Sequence, residues 1–397
     1  MVGMPGPVVE TVNVIHVREV SGSPHAIAYL EVRTDTGLSG YGGPLYPEQE
    51  QEAERLVGRL RTTLAGCDLG DCSFGFSRLW NTLFPTHPLT SFAAGADPLT
   101  GDPIWDTRRN ARHTATGNVV TALSAVDNAL WDLRGKTTGQ PVSQLLGGSR
   151  AILPAYLSIM PGNDIPTAIR KAEELFAHGN TAQKWFLEWG PPDGAGGLGK
   201  TRQLAEGLRS TLGPDATLMF DFAVKCRGRC DWDVDYATQV AAILEGVHPK
   251  WLEEPFSPEE IDCYRRLRDA TDVPLATGEH TYSRWHIKPF LEEGLIRYVQ
   301  CDPEWCGGVS ELLAICDLAR TYDGVQVVPH GHHVLAAAHV VASQPSSLCP
   351  MVEHGPGWLG ERQRAQLHSF SVVGGRIDVP ACSGLGPDID WDRFERV

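Results

Sequence analysis

The chain has 397 residues, 42% of them hydrophobic and 21% charged, which is enough for a substantial core and for two domains or one barrel with an appendage. A net charge of -15, with no cluster of Lys and Arg, excludes the basic stripe of a nucleic-acid surface. No apolar stretch approaches the roughly 20 residues that cross a bilayer, and the opening MVGMPGPVVETVNV lacks a signal peptide's basic start and apolar run, so a cytoplasmic protein with no membrane partner is expected.

In chain order, VVETVNVIHVREV and HAIAYLEVRTDTGLSGYGG alternate apolar and polar residues around a TDTG turn and predict antiparallel strands. The segment NVVTALSAVDNALWDLRGK then places Leu123, Val126, Leu130 and Leu133 on one helix face, and GKTTGQPVSQLLGG supplies the Gly and Pro that end it. This strand-rich, then helical unit spans 1–148. From about Ile152 the pattern changes to eight short apolar runs: ILPAYLS, TAQKWF, ATLMFD, KWLEE, VPLATGE, IRYVQCD, VQVVPH and CPMVEH. Stretches of helical period separate them. In GVSELLAICDLARTYD, for example, Leu312, Ile315, Cys316 and Ala319 share a face. Alternating strand and helix implies parallel strands with right-handed crossovers, and eight such units imply a closed barrel, assigned to 149–365, with an incomplete last unit. The tail, 366–397, is too polar and too rich in Gly and Pro for another unit and is expected to return to the first domain.

Gly194 to Thr201, GAGGLGKT, satisfies both the P-loop and the dinucleotide pattern, and Asp221 lies 22 residues beyond Gly199, where a ribose-binding acid would sit. Both motifs need a strand running directly into the first glycine, and GPPD interrupts that approach. A flexible loop is therefore expected here, with Leu204, Leu208 and Leu212 packing behind it, and nucleotide binding is only a remote alternative. The ten cysteines, at 67, 72, 226, 230, 263, 301, 306, 316, 349 and 382, contain no C-x-x-C pair. They read as buried or idle thiols, and Cys226 with Cys230 lacks the second pair that zinc would need.

In a parallel barrel all strand ends converge on one rim. Here they supply Lys184, Asp221, Glu253, Glu279, Asp302, His330 and Glu353, at spacings of 37, 32, 26, 23, 28 and 23 residues. Asp221, Glu253 and Glu279 on consecutive strands would repel unless a cation lay between them, and hard oxygen donors favour Mg2+. Strand alternation selects Glu253 over Glu254. Asp302 beside His330 would fix the imidazole tautomer and raise its basicity, as proton abstraction requires. His332 and His333 are given no role.

These motifs carry a resemblance. AVDNALWDLRGKTTGQPVSQLLGG, LMFD, WLEEPFSPEEID, VPLATGEH, QCDPEWCGG, VVPHGHH and CPMVEH together resemble the enolase superfamily, mandelate racemase subgroup, and within it the L-rhamnonate dehydratase type of acid-sugar dehydratase. The resemblance implies a modified TIM barrel under an N-terminal α+β cap completed by the C-terminal tail. It also implies Mg2+ on Asp221, Glu253 and Glu279, a His330–Asp302 base dyad, and Glu353 hydrogen-bonding the substrate carboxylate, if need be as a protonated donor. The activity implied is dehydration of a sugar acid to a 2-keto-3-deoxy acid, with lactone cycloisomerisation or racemisation as alternatives. Many relatives carry K-x-K where this chain has KWF, so Phe186 stands in place of a second base and only one substrate face is served. Lys184 is left to contact the substrate carboxylate or to cover the metal. After strand three, Ala223 replaces a polar group that some relatives use, with Lys225 as an untested substitute. His25 and His280 are candidate substrate contacts, and the small-molecule partner is expected to meet a homo-oligomer.

Overall fold

The computed structural model describes residues 6–20, 22, 25–69, 79, 117–162, 164–222, 234–357, 360, 363–367, 371–386 and 388–397. Ala223, Lys225, Cys226 and Cys230 lie outside them. The alternating N-terminal runs form β1 (Val9–Glu19), β2 (Ile27–Thr34) and β3 (Ser39–Gly42), an antiparallel sheet. Helix α1 (Pro47–Leu64) lays Ala53, Leu56, Leu60 and Leu64 against it, a spacing that turns one face inward. Helix α2 (Asn118–Thr138) follows, then the single turn α3 (Val142–Leu145).

All eight apolar runs become parallel strands: β4 (Ile152–Ile159), β5 (Ala182–Leu187), β6 (Thr217–Phe222), β7 (Leu252–Glu253), β8 (Leu275–Thr277), β9 (Tyr298–Val299), β10 (Gln326–Val327) and β11 (Val352–His354). Their order is β10-β9-β8-β7-β6-β5-β4-β11, a curled TIM-like sheet whose end strands β10 and β11 are not paired; the Val327 N–H of β10 donates to the Leu348 carbonyl in the segment that precedes β11, at 2.8 Å. The crossovers are α4 (Ile165–Ala177), α5 (Gly194–Leu212), α6 (Val234–Glu245), α7 (Ile261–Ala270), α8 (Arg284–Glu292), α9 (Gly308–Ala319) and α10 (Leu335–Ser343). In α9 the predicted face of Leu312, Ile315, Cys316 and Ala319 is fully buried. The tail divides: β12 (Arg376–Asp378) pairs antiparallel with β4, and β13 (Phe394–Arg396) pairs antiparallel with β1.

Two local expectations are corrected. Gly194–Thr201 is not a loop. It forms the first two turns of α5, entered through a 3-10 turn at Pro191–Asp193. Leu204, Leu208 and Leu212 hold this helix to the core, and Gly197 fits so closely that a Cβ there would lie 2.6 Å from the Tyr236 hydroxyl. No strand runs into the first glycine, so the phosphate-cradling geometry is absent from this segment. Secondly, α2 is buried on every side rather than on one face, because it lies between the cap sheet and the barrel. On the sheet side, Gly42 lets the helix approach until a Cβ would be 1.9 Å from the Ala125 carbonyl. On the barrel side, buried polar groups serve as caps. Ser124 Oγ accepts from the Gly307 N–H (2.8 Å), Asn128 Oδ1 from Val309 (3.1 Å) and Asp127 Oδ2 from Ser310 (2.9 Å), which satisfies the first turn of α9.

Among the described residues no helix is long and apolar enough to cross a membrane, and the seven described cysteines are free thiols. Within α10, buried His339 accepts from the Ser143 N–H at Nδ1 (2.9 Å) and meets the Leu385 carbonyl with Nε2 (3.2 Å), joining α3 to the tail. Burial lowers this imidazole from 6.5 to about 4. The unfolded chain therefore takes up a proton that the folded chain refuses, and stability that is complete above pH 6.5 falls as pH drops towards 4. His339→Gln, which retains an acceptor and a donor, is expected to lose on the order of 3 kcal/mol less than the parent over that interval, at about 1.4 kcal/mol per pH unit. Urea midpoints at pH 7 and pH 4.5 measure the difference.

Candidate active site

Strand alternation divides the barrel interior into layers. The lower layer is apolar and aromatic: Tyr156, Met219, Trp251, Ala276, Tyr298 and Val328 pack together, with the Trp251 ring 5.4 Å from Tyr156 and 4.9 Å from Tyr298. One step further along the strands the side chains become polar. Register pairs Ser158 with Lys184 and Asp221 with Glu253, while Lys184 pairs with Met219 on β6, so the long Lys184 side chain reaches its acids from one pair of residues lower. Glu253 turns to Lys184, while Glu254 turns to His280.

Lys184 has a more central place than the sequence suggests. It is 1% exposed, and its Nζ lies 2.7 Å from Glu253 Oε1, 2.9 Å from Glu353 Oε1 and 3.0 Å from Asp221 Oδ2. Burial opposes its charge, but the three carboxylates outweigh burial and hold the ammonium well above its ordinary pKa. A single cation does not neutralise the group. Burial, and next the Asp221 charge, push Glu253 up to about 8, although its Oε2 accepts from Trp251 Nε1 (3.0 Å) and Gln300 Nε2 (2.6 Å). Glu353 moves the other way. Burial would raise it, but Lys184 and His330 bring it down to about 2. It accepts from Ser158 Oγ and from the Gly331 N–H (3.0 Å), so it is an acceptor here and not the donor that a protonated acid would be.

His330 Nδ1 meets Asp302 Oδ2 at 2.7 Å. Two backbone amides fix that carboxylate, Glu304 N–H on Oδ1 (2.7 Å) and His332 N–H on Oδ2 (3.1 Å). The other imidazole nitrogen lies 3.7 Å from Glu279 Oε1. Burial alone would depress His330, but Glu279, Glu353 and Asp302 together push it up to about 10. Glu279 faces His330 and, at 3.9 Å, His280, while Asp221 and Glu253 face Lys184. His280 binds Glu254 Oε2 through Nδ1 at 2.7 Å and stays partly exposed on the rim. Glu254, at φ +41°, joins Glu279 and His280 in a group whose ligand atoms lie within 4.8 Å of one another. His25 is exposed at the entry to β2, a strand joined to residues 43–49 by the Leu45 N–H to Ala28 carbonyl bond (2.9 Å).

Several residues escape the strand-end pattern. Ser158 ends the first barrel strand and was open to the same logic as the other ends. Trp305 stacks on His330 with ring centroids 5.1 Å apart, and the Tyr46 hydroxyl of the cap meets His332 Nδ1 at 3.1 Å. No periodicity marks either aromatic. His332 and His333, given no role, are 2% exposed, and His333 Nε2 bonds Gln366 Nε2 of the tail at 2.8 Å.

A parallel barrel with acids, a lysine and a His–Asp pair at its C-terminal rim, under an α+β cap, defines a class of enzyme scaffold. Residues 167–393 match the family described as enolase C-terminal domain-like, and residues 97–147 match the mandelate racemase/muconate lactonizing enzyme N-terminal domain. The chain belongs to the enolase superfamily, in its mandelate racemase/muconate lactonizing enzyme group. It is 33% identical to an L-rhamnonate dehydratase of Saccharopolyspora erythraea over 322 residues, covering 77% of each chain. It is 29% identical to a D-galactonate dehydratase of Ralstonia nicotianae over 378 residues, 91% of this chain and 88% of that one. A 3,6-anhydro-D-galactonate cycloisomerase from Zobellia galactanivorans superimposes with a TM-score of 0.75 at 25% identity, covering 97% of each chain. Members of the superfamily generally use a divalent metal. The donor set here fits one in its chemistry: the oxygens are hard, and Asp221 and Glu253 share Lys184 with Glu353, so three buried carboxylates face a single ammonium.

Removing Lys184 leaves that charge buried without its partner. In EDTA at pH 7, Lys184→Met is expected to lose about 3–5 kcal/mol of unfolding free energy, and less at pH 5, where protons replace the ammonium. Urea unfolding at the two pH values checks both the size and the direction.

Proposed function

We propose that the protein is a Mg2+-dependent sugar-acid dehydratase that removes the proton alpha to the carboxylate of an aldonate or aldarate and eliminates the 3-hydroxyl. The observation that carries this reading is the His330–Asp302 pair at 2.7 Å on the same rim as the carboxylates, with Phe186 where a second base would stand. The dehydratase names of the curated relatives support it.

Asp221, Glu253 and Glu279 would hold the metal. Bound there, a divalent cation supplies positive charge against the charge that builds on the substrate carboxylate as C2 loses its proton. With the charge of Glu279 offset, His330 returns towards its ordinary range, where Nε2 accepts the C2 proton. Asp302 holds Nδ1 and balances the imidazolium. Lys184 adds its ammonium beside the carboxylate, while Glu353 keeps Lys184 and the Gly331 amide in place and accepts from a substrate hydroxyl. The C2–H bond breaks to His330, the C2–C3 double bond forms, and the C3–O bond breaks as imidazolium returns the proton to the departing hydroxyl. Water leaves, and the enol tautomerises to a 2-keto-3-deoxy acid. His25 and His280 are assigned to substrate hydroxyls. Because Phe186 offers no base to the opposite face, racemisation is disfavoured. Cycloisomerisation is a second reading, favoured by the likeness to the anhydrogalactonate cycloisomerase.

Incubation with Mg2+ and a panel of aldonic and aldaric acids is expected to give a 2-keto acid from at least one of them. A product of unchanged mass from an anhydro sugar acid would instead favour cycloisomerisation. His330→Asn is expected to abolish deuterium exchange at C2, and Lys200→Ala to leave turnover within about twofold. Asp221→Asn and Glu253→Gln should weaken Mg2+ binding in calorimetry by at least about tenfold, the lower end for groups that shape a metal site. Glu254→Gln should not. A loss confined to Glu254→Gln would move the metal to the Glu254–Glu279–His280 group.

A further inference from the structure

The cap reaches the rim through a short segment whose contacts lead inward. Just before α1, the Tyr46 N–H donates to Gln49 Oε1 at 2.9 Å, and Gln49 Nε2 reaches the Glu304 carbonyl at 3.5 Å. The segment is thereby seated on the turn that follows Asp302. The Tyr46 hydroxyl meets His332 Nδ1 at 3.1 Å, and the two rings stand edge to face with centroids 4.5 Å apart. His332 passes the contact on: its N–H donates to Asp302 Oδ2 at 3.1 Å, the same oxygen that holds His330 Nδ1 at 2.7 Å. Trp305 fills the space among them, stacked on His330 at 5.1 Å, edge-on to His332 at 4.7 Å and 6.4 Å from Tyr46.

We propose that Tyr46 is a positioning residue, through which seating of the cap on His332 and Trp305 sets the alignment of the His330–Asp302 pair. This rests on the reading of that pair as the base. The 330–333 segment has little freedom to absorb the loss of the contact. A Cβ at Gly331 would lie 2.6 Å from the Glu353 carbonyl, and His332 and His333 are each 2% exposed. A shift of His332 therefore carries its backbone amide, and with it the Asp302 oxygen on which His330 is aimed. Proton abstraction is steep in such alignment, since a displacement of about 1 Å in a reacting group costs on the order of a hundredfold in rate. A phenol that instead gripped substrate would act on binding. A positioning phenol acts on turnover.

The test uses full-length Tyr46→Phe, which removes the hydroxyl and keeps the ring, and Tyr46→Leu. With an acid that the unsubstituted enzyme exchanges at C2, the rate constant for deuterium exchange is expected to fall about tenfold in Tyr46→Phe and further in Tyr46→Leu, with KM within about twofold and Mg2+ affinity unchanged. An unchanged rate constant, or a loss carried wholly by KM, overturns the proposal. If the unsubstituted enzyme exchanges no acid in the panel, the reading of the base fails and a second measurement judges the coupling. In histidine-labelled protein, Tyr46→Phe should displace the ring nitrogen resonances of both His332 and His330. A displacement confined to His332 overturns the coupling.

Discussion

Buried carboxylates that cannot all be ionised without cations are the constraint on which the rest of this molecule depends. Asp221, Glu253 and Glu353 close on the ammonium of Lys184 at 2.7–3.0 Å, in a layer with almost no access to water. Such a group is costly in isolation: desolvating each charge takes several kcal/mol, recovered only where geometry and hydrogen bonding are good. The barrel provides both. Its aromatic lower layer excludes water and contributes the Trp251 N–H, and its strands bring the Asp221, Glu253 and Glu353 oxygens to within 3.0 Å of one ammonium. The same economy explains why Glu253 rises to about 8 while Glu353 falls to about 2. Lys184 is shared among three acids, and the one also facing His330 and the Ser158 hydroxyl takes the ionised share.

That rim would be unsteady without the cap, and the two halves are joined by polar contacts. Helix α2 carries Ser124, Asp127 and Asn128 into the start of α9, so the turn immediately after Asp302 is held by side chains more than a hundred residues earlier in the chain. At the other end of the helix, Asp132 accepts from the Tyr41 and Leu385 amides and pairs with Lys136, which also reaches Asp388 of the tail. A burial that looks unfavourable for a helix with so many polar residues is thus offset by partners on both sides, the α9 amides for Ser124, Asp127 and Asn128 and the cap and tail amides for Asp132.

This is also where legibility in the sequence ends. Period-2 and period-3.6 patterns reveal apolar surface, so the eight barrel strands and the α9 face could be read directly. Strand alternation then placed Lys184, Asp221, Glu253, Asp302, His330 and Glu353 on one rim, because each polar residue closes an apolar run. The polar side of α2 was illegible for the converse reason: Ser124, Asp127 and Asn128 resemble a solvated face until a partner supplies N–H groups for them to accept. In Gly194–Thr201 the glycines suggested a loop, yet Leu204, Leu208 and Leu212 decide the outcome through burial that weak local propensity cannot oppose. Trp305 and Tyr46 leave no periodic trace, since each makes its ring contacts with His332 from a loop rather than from a patterned element.

The asymmetry of the site follows from one strand. In β5, Lys184 and Phe186 both turn inward, and the Phe186 ring lies 5.5 Å from the Lys184 ammonium rather than presenting a second one. A second cation there would compete with Lys184 for Asp221 and Glu253. With a ring instead, the basic capacity of the site is concentrated on the His330 side, where Asp302, two backbone amides and the Trp305 face hold the imidazole. Under the proposed reaction this concentration is what elimination needs. The group that takes the C2 proton is the one proposed to return it to the departing hydroxyl, and the Phe186 ring itself offers the intermediate no competing proton.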